Sequence, residues 1–295
     1  MKKTFLHIFW ALSLMAMACG CEETPADNPG GPDGGETPSE YRWHFSVKNA
    51  DAAQALGVFV RDFDGGITNG EFHLDASTGA SFEIKTDYLL TTGGKVYAYA
   101  PYNAESTDHK AVKLSIPEEQ TAGVPAMPRA SIPLVFDNPK PDSTITIQML
   151  DLASTISLKV YSTKDTGEKI ASVSFTSETP LAGAFSFNIK GIEAGLASTM
   201  ALSGLTGKTV KVDAGVSVGT DADAAQAIPM VLAPGSYTGI ITVVTDKDQY
   251  GIVVEDPVVL ARAAVVPLTV RIAPRVSQEE GGSTEDFAGG ELITE

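Results

Sequence analysis

The segment YRWHFSVK, residues 41–48, alternates between apolar and polar side chains. In an extended chain, Trp43, Phe45 and Val47 point to one side, and the polar residues between them point to the other. A period of two residues is typical of a strand with one buried face. We therefore predict that this segment is the first strand of the folded part, with these three side chains in the core.

Comparable runs recur from this strand to residue 272, and glycine-rich turns such as Asp64-Gly65-Gly66 and Asn69-Gly70 separate them. No long segment has a helical period. The pattern predicts an all-β chain built from antiparallel β-sandwiches. Two prolines in the segment 137–142 would interrupt the ladder of a sheet, so we predict an N-terminal sandwich over 41–140 and a C-terminal sandwich over 141–275.

The net charge of −16 over 295 residues is concentrated near the two ends. Residues 19–40 and residues 276–295 each contain six acids and no base. Segments rich in acids, glycine and proline or serine cannot bury a core. We expect a flexible tether over 19–40 and a mobile acidic tail over 276–295. The acidic balance disfavours nucleic acid as a partner.

The first 18 residues combine two lysines with an apolar run, Phe5–Ala18, that is too short to span a bilayer as a helix. The sequence that follows resembles a bacterial lipobox, with small residues at positions 16 and 18 before Cys19. The resemblance implies a lipoprotein signal over 1–18 and a lipid on Cys19, or alternatively on Cys21. Acidic residues behind these cysteines resemble the surface-export signal of Bacteroidetes lipoproteins. We expect an outer-membrane lipoprotein that faces the cell surface and contacts the membrane through its lipid.

The sequence contains no convincing catalytic constellation. Its two cysteines both belong to the lipobox region, so the folded part has no thiol. The segment GVSVG, residues 215–219, matches the spacing of a nucleophile elbow around Ser217, but all four histidines precede it. Valines on both sides of the serine favour a strand over the required strand–turn–helix. We therefore expect a protein that is not an enzyme and that has no metal site and no cofactor.

Two further segments carry a resemblance to a family. The run VYAYAPY at residues 96–102, followed by IPEEQ at 116–120, is similar to the signature of Bacteroidetes fimbrillin-like lipoproteins, which are subunits of type V pili. A strand over 155–161 and the tripeptide 181–183 extend the likeness. It implies two transthyretin-like β-sandwiches in a surface protein that builds or decorates pili. The implied partners are other pilus subunits and a host surface protein or glycan.

The same resemblance implies assembly by strand complementation. In polymerising fimbrillins an arginine-specific protease removes the first strand, and a donor strand from the next subunit fills the groove. In this chain the connection 49–55 contains no arginine. Cutting after Arg42 would leave most of the first strand, and cutting after Arg61 would also remove most of the second. We therefore predict that Trp43, Phe45 and Val47 are retained and that the protein is an anchor, tip or accessory subunit.

A glycan-binding surface lipoprotein is the alternative. Aromatic faces stack on the apolar faces of sugars, and the candidates are Trp43 and the cluster of Tyr97, Tyr99 and Tyr102. Trp43, Tyr97 and Tyr99 lie at positions expected to be buried, whereas Tyr102 follows a proline and is the candidate for exposure. An exposed aromatic row beside a groove would favour this alternative, and a groove filled by a removable strand would favour assembly.

Overall fold

The computed structural model describes residues 40–123, 127–192, 202–273 and 288–293. Strands dominate these ranges, and their helical segments are two short 3-10 turns at Ala76–Thr78 and Ile189–Gly191. The predicted all-β class and the arrangement in two sandwiches are confirmed. Cys19 and Cys21, the signal segment and nearly all of the tether lie outside the described residues.

The first sheet contains eight strands. They are β1 (Tyr41–Lys48), β2 (Leu56–Arg61), β3 (Gly66–Phe72), β4 (Ser81–Thr86), β5 (Lys95–Ala100), β8 (Arg129–Ser131), β9 (Leu134–Val135) and β10 (Thr144–Asp151). Their order is β3-β2-β5-β8-β10-β1-β4, with β9 paired to β5. Only the β1–β10 pair is parallel. The strand β1 therefore lies inside the sheet, next to the edge strand β4.

The second sheet contains nine strands. They are β7 (Glu119–Thr121), β11 (Ser154–Tyr161), β12 (Lys169–Thr176), β14 (Thr209–Ser217), β15 (Ala227–Leu232), β16 (Gly235–Thr245), β17 (Gln249–Leu260), β18 (Val265–Ile272) and β19 (Ala288–Ile293). Their order is β15-β11-β18-β19-β17-β16-β12-β14-β7. A separate two-stranded ribbon joins β6 (Val112–Ile116) to β13 (Gly183–Phe187).

The two halves of the chain exchange strands across the predicted boundary at residues 140 and 141. Although β10 follows that boundary, it lies in the first sheet, and although β6 and β7 precede it, they pair with β13 and β14. The two prolines belong to the turn that leads into β10, where the Asp142 amide donates to the Arg42 carbonyl. The division between the sheets therefore does not follow the prolines. That residues 41–140 fold as a unit stays a prediction.

The strand β5 contributes to both hydrophobic cores. Its residues Val96 and Ala98 pack in a cluster with Trp43, whereas Tyr97 and Tyr99 pack in a cluster formed largely by the second half of the chain. A strand buried on both faces explains why KVYAYA is almost continuously apolar. The aromatic run that carried the family resemblance is thus a junction between the two cores.

Part of the acidic tail, residues 288–293, is a strand. This segment forms β19, which lies antiparallel to β18 and begins parallel to β17. Its main-chain groups therefore have partners on both sides. The Leu292 side chain packs against the second core. The Arg271 guanidinium contacts the Glu291 carboxylate at 2.5 Å. Pairing on both sides compensates for a segment that has few apolar residues.

Candidate assembly groove

The first strand fills a groove between β4 and β10. It pairs antiparallel with β4, from Tyr41 opposite Thr86 to Ser46 opposite Ser81. It pairs parallel with β10 over His44–Lys48, opposite Thr144–Gln148. Among the described strands, β4 has no other partner in its sheet. Removal of β1 would therefore leave two strand edges facing an open groove.

The apolar side chains of β1 lie at the centre of the first core. Trp43 and Phe45 are 0% exposed and Val47 is 4% exposed, as their alternation predicts. The Trp43 indole Nε1–H donates to the Thr86 hydroxyl at 2.9 Å, which satisfies its one polar group. The Phe45 ring stacks on Phe82 with a centroid distance of 5.1 Å and an interplanar angle of 10°. These contacts join β1 to β4 by side chains as well as by main chain.

Both arginines considered as protease sites, Arg42 and Arg61, have their main chain in a sheet. Arg42 pairs with Lys85 of β4, and Arg61 at the end of β2 pairs with Lys95 of β5 and with Gly66 of β3. Their side chains are exposed. A protease binds an extended, unpaired main chain, so exposure of the side chain alone does not make either position a substrate.

The connection between β1 and β2 is a short turn fastened at both of its ends. The Asn49 side-chain amide donates to the Met149 carbonyl at 3.3 Å, and the Asp51 carboxylate accepts from the Ala53 amide at 3.0 Å. At its C-terminal end, the Ala55 carbonyl accepts from the Tyr102 amide. Within this turn Ala53 is exposed.

The aromatic residues considered for sugar binding do not form an exposed platform. Trp43 is fully buried, Tyr97 and Tyr99 are 2% and 0% exposed, and Tyr102 packs half-buried against the second core. Gly57 lies directly opposite Tyr99, and the Tyr99 ring occupies the space in which a Cβ on that glycine would lie. Phe63, which was not predicted from the sequence as a sugar contact, follows the end of β2 and is 82% exposed.

Ser217 lies at the end of β14, opposite Lys169 of β12. It is therefore on a strand, as the flanking valines predict, and Gly215 before it takes a φ of 65°. No group of three potential metal ligands occurs in the described ranges. Within the same ranges, no helix combines the length and apolar character that crossing a bilayer requires.

Solved structures show where this fold has been seen before. No protein-family model matches the chain, and no curated protein matches it. A protein from Bacteroides ovatus, provisionally described as a cell adhesion protein, aligns over 78% of this chain and 91% of its own, with 17% sequence identity and a TM-score of 0.50. A fimbrial assembly protein from Parabacteroides distasonis aligns over 81% of this chain and 93% of its own, with 10% identity and a TM-score of 0.41. The likeness to the Bacteroides ovatus structure shows that the two chains share a fold, which agrees with the fold that the sequence resemblance implies.

Proposed function

We propose that the protein is a non-enzymatic, lipid-anchored structural or adhesive subunit of the cell surface, and that it keeps its first strand. The observation that carries this proposal is the filled groove between β4 and β10, followed by a turn without arginine. A subunit whose groove is filled cannot accept a donor strand there. It therefore acts as an anchor, tip or accessory subunit and does not form the shaft of a pilus. The shared fold with a Bacteroides ovatus protein that is provisionally described as a cell adhesion protein supports an adhesive role.

The burial of β1 supports its retention. Full burial of each large apolar side chain contributes about 1.5–3 kcal/mol, and β1 buries three such side chains. Opening the groove would also leave the main-chain groups of β4 and β10 unpaired on that side. Strand removal thus needs covalent cutting next to β1, and the turn offers no arginine for it.

Sequencing the N-terminus of the protein purified from the cell surface tests the retention of β1. We expect a mature terminus that precedes Tyr41. A terminus within 49–55, together with polymers that resist SDS, would contradict the proposal.

An engineered processing site makes the same test stricter. In Ala53→Arg, the exposed turn acquires an arginine, and we expect an arginine-specific protease to cut after position 53. The matched variant Ala53→Lys adds the same charge without a cleavable residue and should stay intact. Cutting of the wild-type chain in this turn, or equal cutting of both variants, would contradict the proposed protection.

The lipid anchor is tested separately. Replacing both Cys19 and Cys21 by serine removes every thiol from the chain. We expect the variant to lose lipid labelling and to leave the membrane fraction, and the single substitutions show which cysteine carries the lipid. Unchanged labelling and fractionation of the double variant would refute the anchor without affecting the retention of β1.

A further inference from the structure

A cleft with a volume of about 340 Å³ opens where the first sheet meets the second half of the chain. The end of β2, the turn before β5, the loop between β5 and β6 and the 3-10 turn at 189–191 form its walls. A second cleft of about 460 Å³ adjoins it and shares Arg61, Asp62, His109 and Lys110. A volume of this size is in the range of binding sites for small organic ligands.

Four cationic side chains line the cleft, although the chain as a whole has a net charge of −16. Arg61 of β2 and Lys95 of β5 are direct cross-strand partners. Like charges directly opposite each other destabilise a pair of strands. Lys110 and Lys190 add two more charges from two other elements. In the described part of the chain, none of the four has a carboxylate within 4.0 Å.

The carboxylate of Asp62 is already occupied. Among the described residues that line the first cleft, Asp62 is the one with an acidic side chain. Its oxygens accept hydrogen bonds from the Thr91 amide at 2.8 Å, the Thr91 hydroxyl at 2.5 Å and the Phe63 amide at 2.7 Å. Gly94 leaves room for this arrangement, since a Cβ there would lie 2.3 Å from Asp62 Oδ2. The four cations therefore keep their capacity to bind an external anion.

The remaining wall is aromatic. The His109 ring stacks on Tyr97 at a centroid distance of 4.7 Å and an angle of 26°. Burial lowers the pKa of His109, and the charges of Arg61, Lys110 and Lys190 add to this effect, while Asp108 opposes it. Phe63 stands at the rim and is 82% exposed. An exposed phenyl ring beside cations suits a ligand that has both an anionic group and an apolar face.

We propose that this cleft binds an acidic sugar unit of a glycan, with its carboxylate or sulfate among Arg61, Lys95, Lys110 and Lys190 and its apolar face against Phe63. This ligand class relieves the repulsion between the paired cations and gives the exposed ring a function. No residue of β1 lines the cleft. The inference therefore deepens the adhesive side of the proposed function and is independent of strand retention.

Calorimetric titration of the purified full-length protein tests the anionic part. The probes are a sulfated heparin disaccharide, a trimer of galacturonic acid, a neutral galactose trimer and inorganic sulfate. We expect at least one acidic sugar to bind and the neutral trimer not to bind.

Arg61→Gln and Lys190→Gln should each weaken binding of the acidic sugar about fivefold or more. The thermal midpoint of each variant should stay the same or rise, because repulsion between the cations is relieved. Lys164→Gln, which changes an exposed lysine outside the cleft, should leave the affinity unchanged.

A second pair of variants tests the sugar part. Phe63→Ala should weaken binding of the acidic sugar several-fold without changing the affinity for sulfate. Val253→Ala, at a position on β17 that is 61% exposed and outside the cleft, should change neither affinity. If sulfate binds as strongly as the acidic sugar and Phe63→Ala has no effect, the cleft is a site for free anions and the proposal is wrong. Stronger binding to vesicles that contain phosphatidylglycerol, or no binding by either acidic sugar, would overturn it.

Discussion

The strands β1 and β19 have the same topological role in the two sheets, but their side chains are buried to different extents. Each lies between two strands that do not pair with each other, β4 and β10 for β1, and β18 and β17 for β19. Trp43 and Phe45 of β1 are fully buried. In β19, AGGELI contains two glycines, and the side chain of Leu292 is only half-buried.

This difference indicates that main-chain pairing decides where a strand inserts, whereas side-chain volume decides how firmly it stays. Pairing on both sides gives β19 a defined register at four positions with β18 and two with β17. This pairing buries little apolar surface. The strand β1 has longer ladders and three large buried side chains. We expect the first sheet to depend strongly on β1 and the second sheet to tolerate the loss of β19.

The largest effect is expected from Trp43→Ala. It removes a fully buried indole and the hydrogen bond to Thr86, and substitutions of this kind lower the free energy of unfolding by about 3–5 kcal/mol. Urea unfolding of the full chain measures it. Lys48→Ala, at an exposed position of the same strand, should stay within about 0.5 kcal/mol of the wild type. A loss below about 1 kcal/mol for Trp43→Ala would contradict the central role of β1.

A smaller, local effect is expected from Gly290→Val. A Cβ at Gly290 would lie 2.6 Å from Cγ1 of Ile252, whereas a Cβ at Gly289 would meet nothing within 4 Å. We expect Gly290→Val to weaken the docking of β19 by about 1–3 kcal/mol, seen as faster hydrogen exchange of the β18 amides at 269–272. Gly289→Val is the matched control. Equal exchange in the two variants would show that β19 is not held by this contact.

The stability of the protein should depend on pH through His109, which lies where the two halves of the chain meet. The His109 carbonyl accepts from the Ile189 amide, so this loop joins the first half to the second. Burial is the main cause that lowers the pKa of His109 below 6.5, and the Tyr97 ring is stacked against the imidazole. The charge of Asp108 opposes this shift. The charges of Arg61, Lys110 and Lys190 add to it. The unfolded chain therefore binds a proton more readily than the folded chain. This contribution to stability is present above pH 6.5 and is lost as the pH falls through the lower folded pKa.

Comparison of urea midpoints at pH 7.5 and 5.5 measures this effect. The wild type should lose stability between the two values, and His109→Phe, which keeps an aromatic ring but cannot titrate, should lose less. An identical loss in both proteins would assign the pH dependence to other groups.

The smallest effect is expected from Ser217→Ala. Its side chain is exposed at the end of β14, so the free energy of unfolding should change by no more than about 0.5 kcal/mol. Surface display and assembly should be unchanged. The disappearance of a measurable hydrolase activity in this variant would overturn the proposed non-enzymatic role.

The position of β1 was predictable because its signal is local. Alternation over YRWHFSVK identifies both the strand and its buried face without knowledge of its partners. For β19 the local signal fails, since Leu292 and Ile293 are adjacent and glycines precede them. Its stability comes from main-chain partners on β17 and β18, which no local pattern encodes.

The cleft was not predictable for a related reason. Arg61, Lys95, Lys110 and Lys190 belong to separate segments, and each of them is an ordinary surface residue in its own segment. The register of β2 on β5 brings the first two together, and the 3-10 turn from the second half adds the last. Long-range register also places β10 in the first sheet, although it follows the predicted boundary at 140 and 141.

The place of β1 between two strands has a mechanical consequence. Any force that reaches Tyr41 from the preceding chain pulls β1 along its own axis. In the antiparallel pair with β4 the hydrogen bonds run perpendicular to that axis, so the pull loads many of them at once in shear and does not unzip them one after another. The ladder to β10 shares the load on the other side. In the surface subunit proposed above, tension on the preceding chain would therefore load both ladders of β1 together.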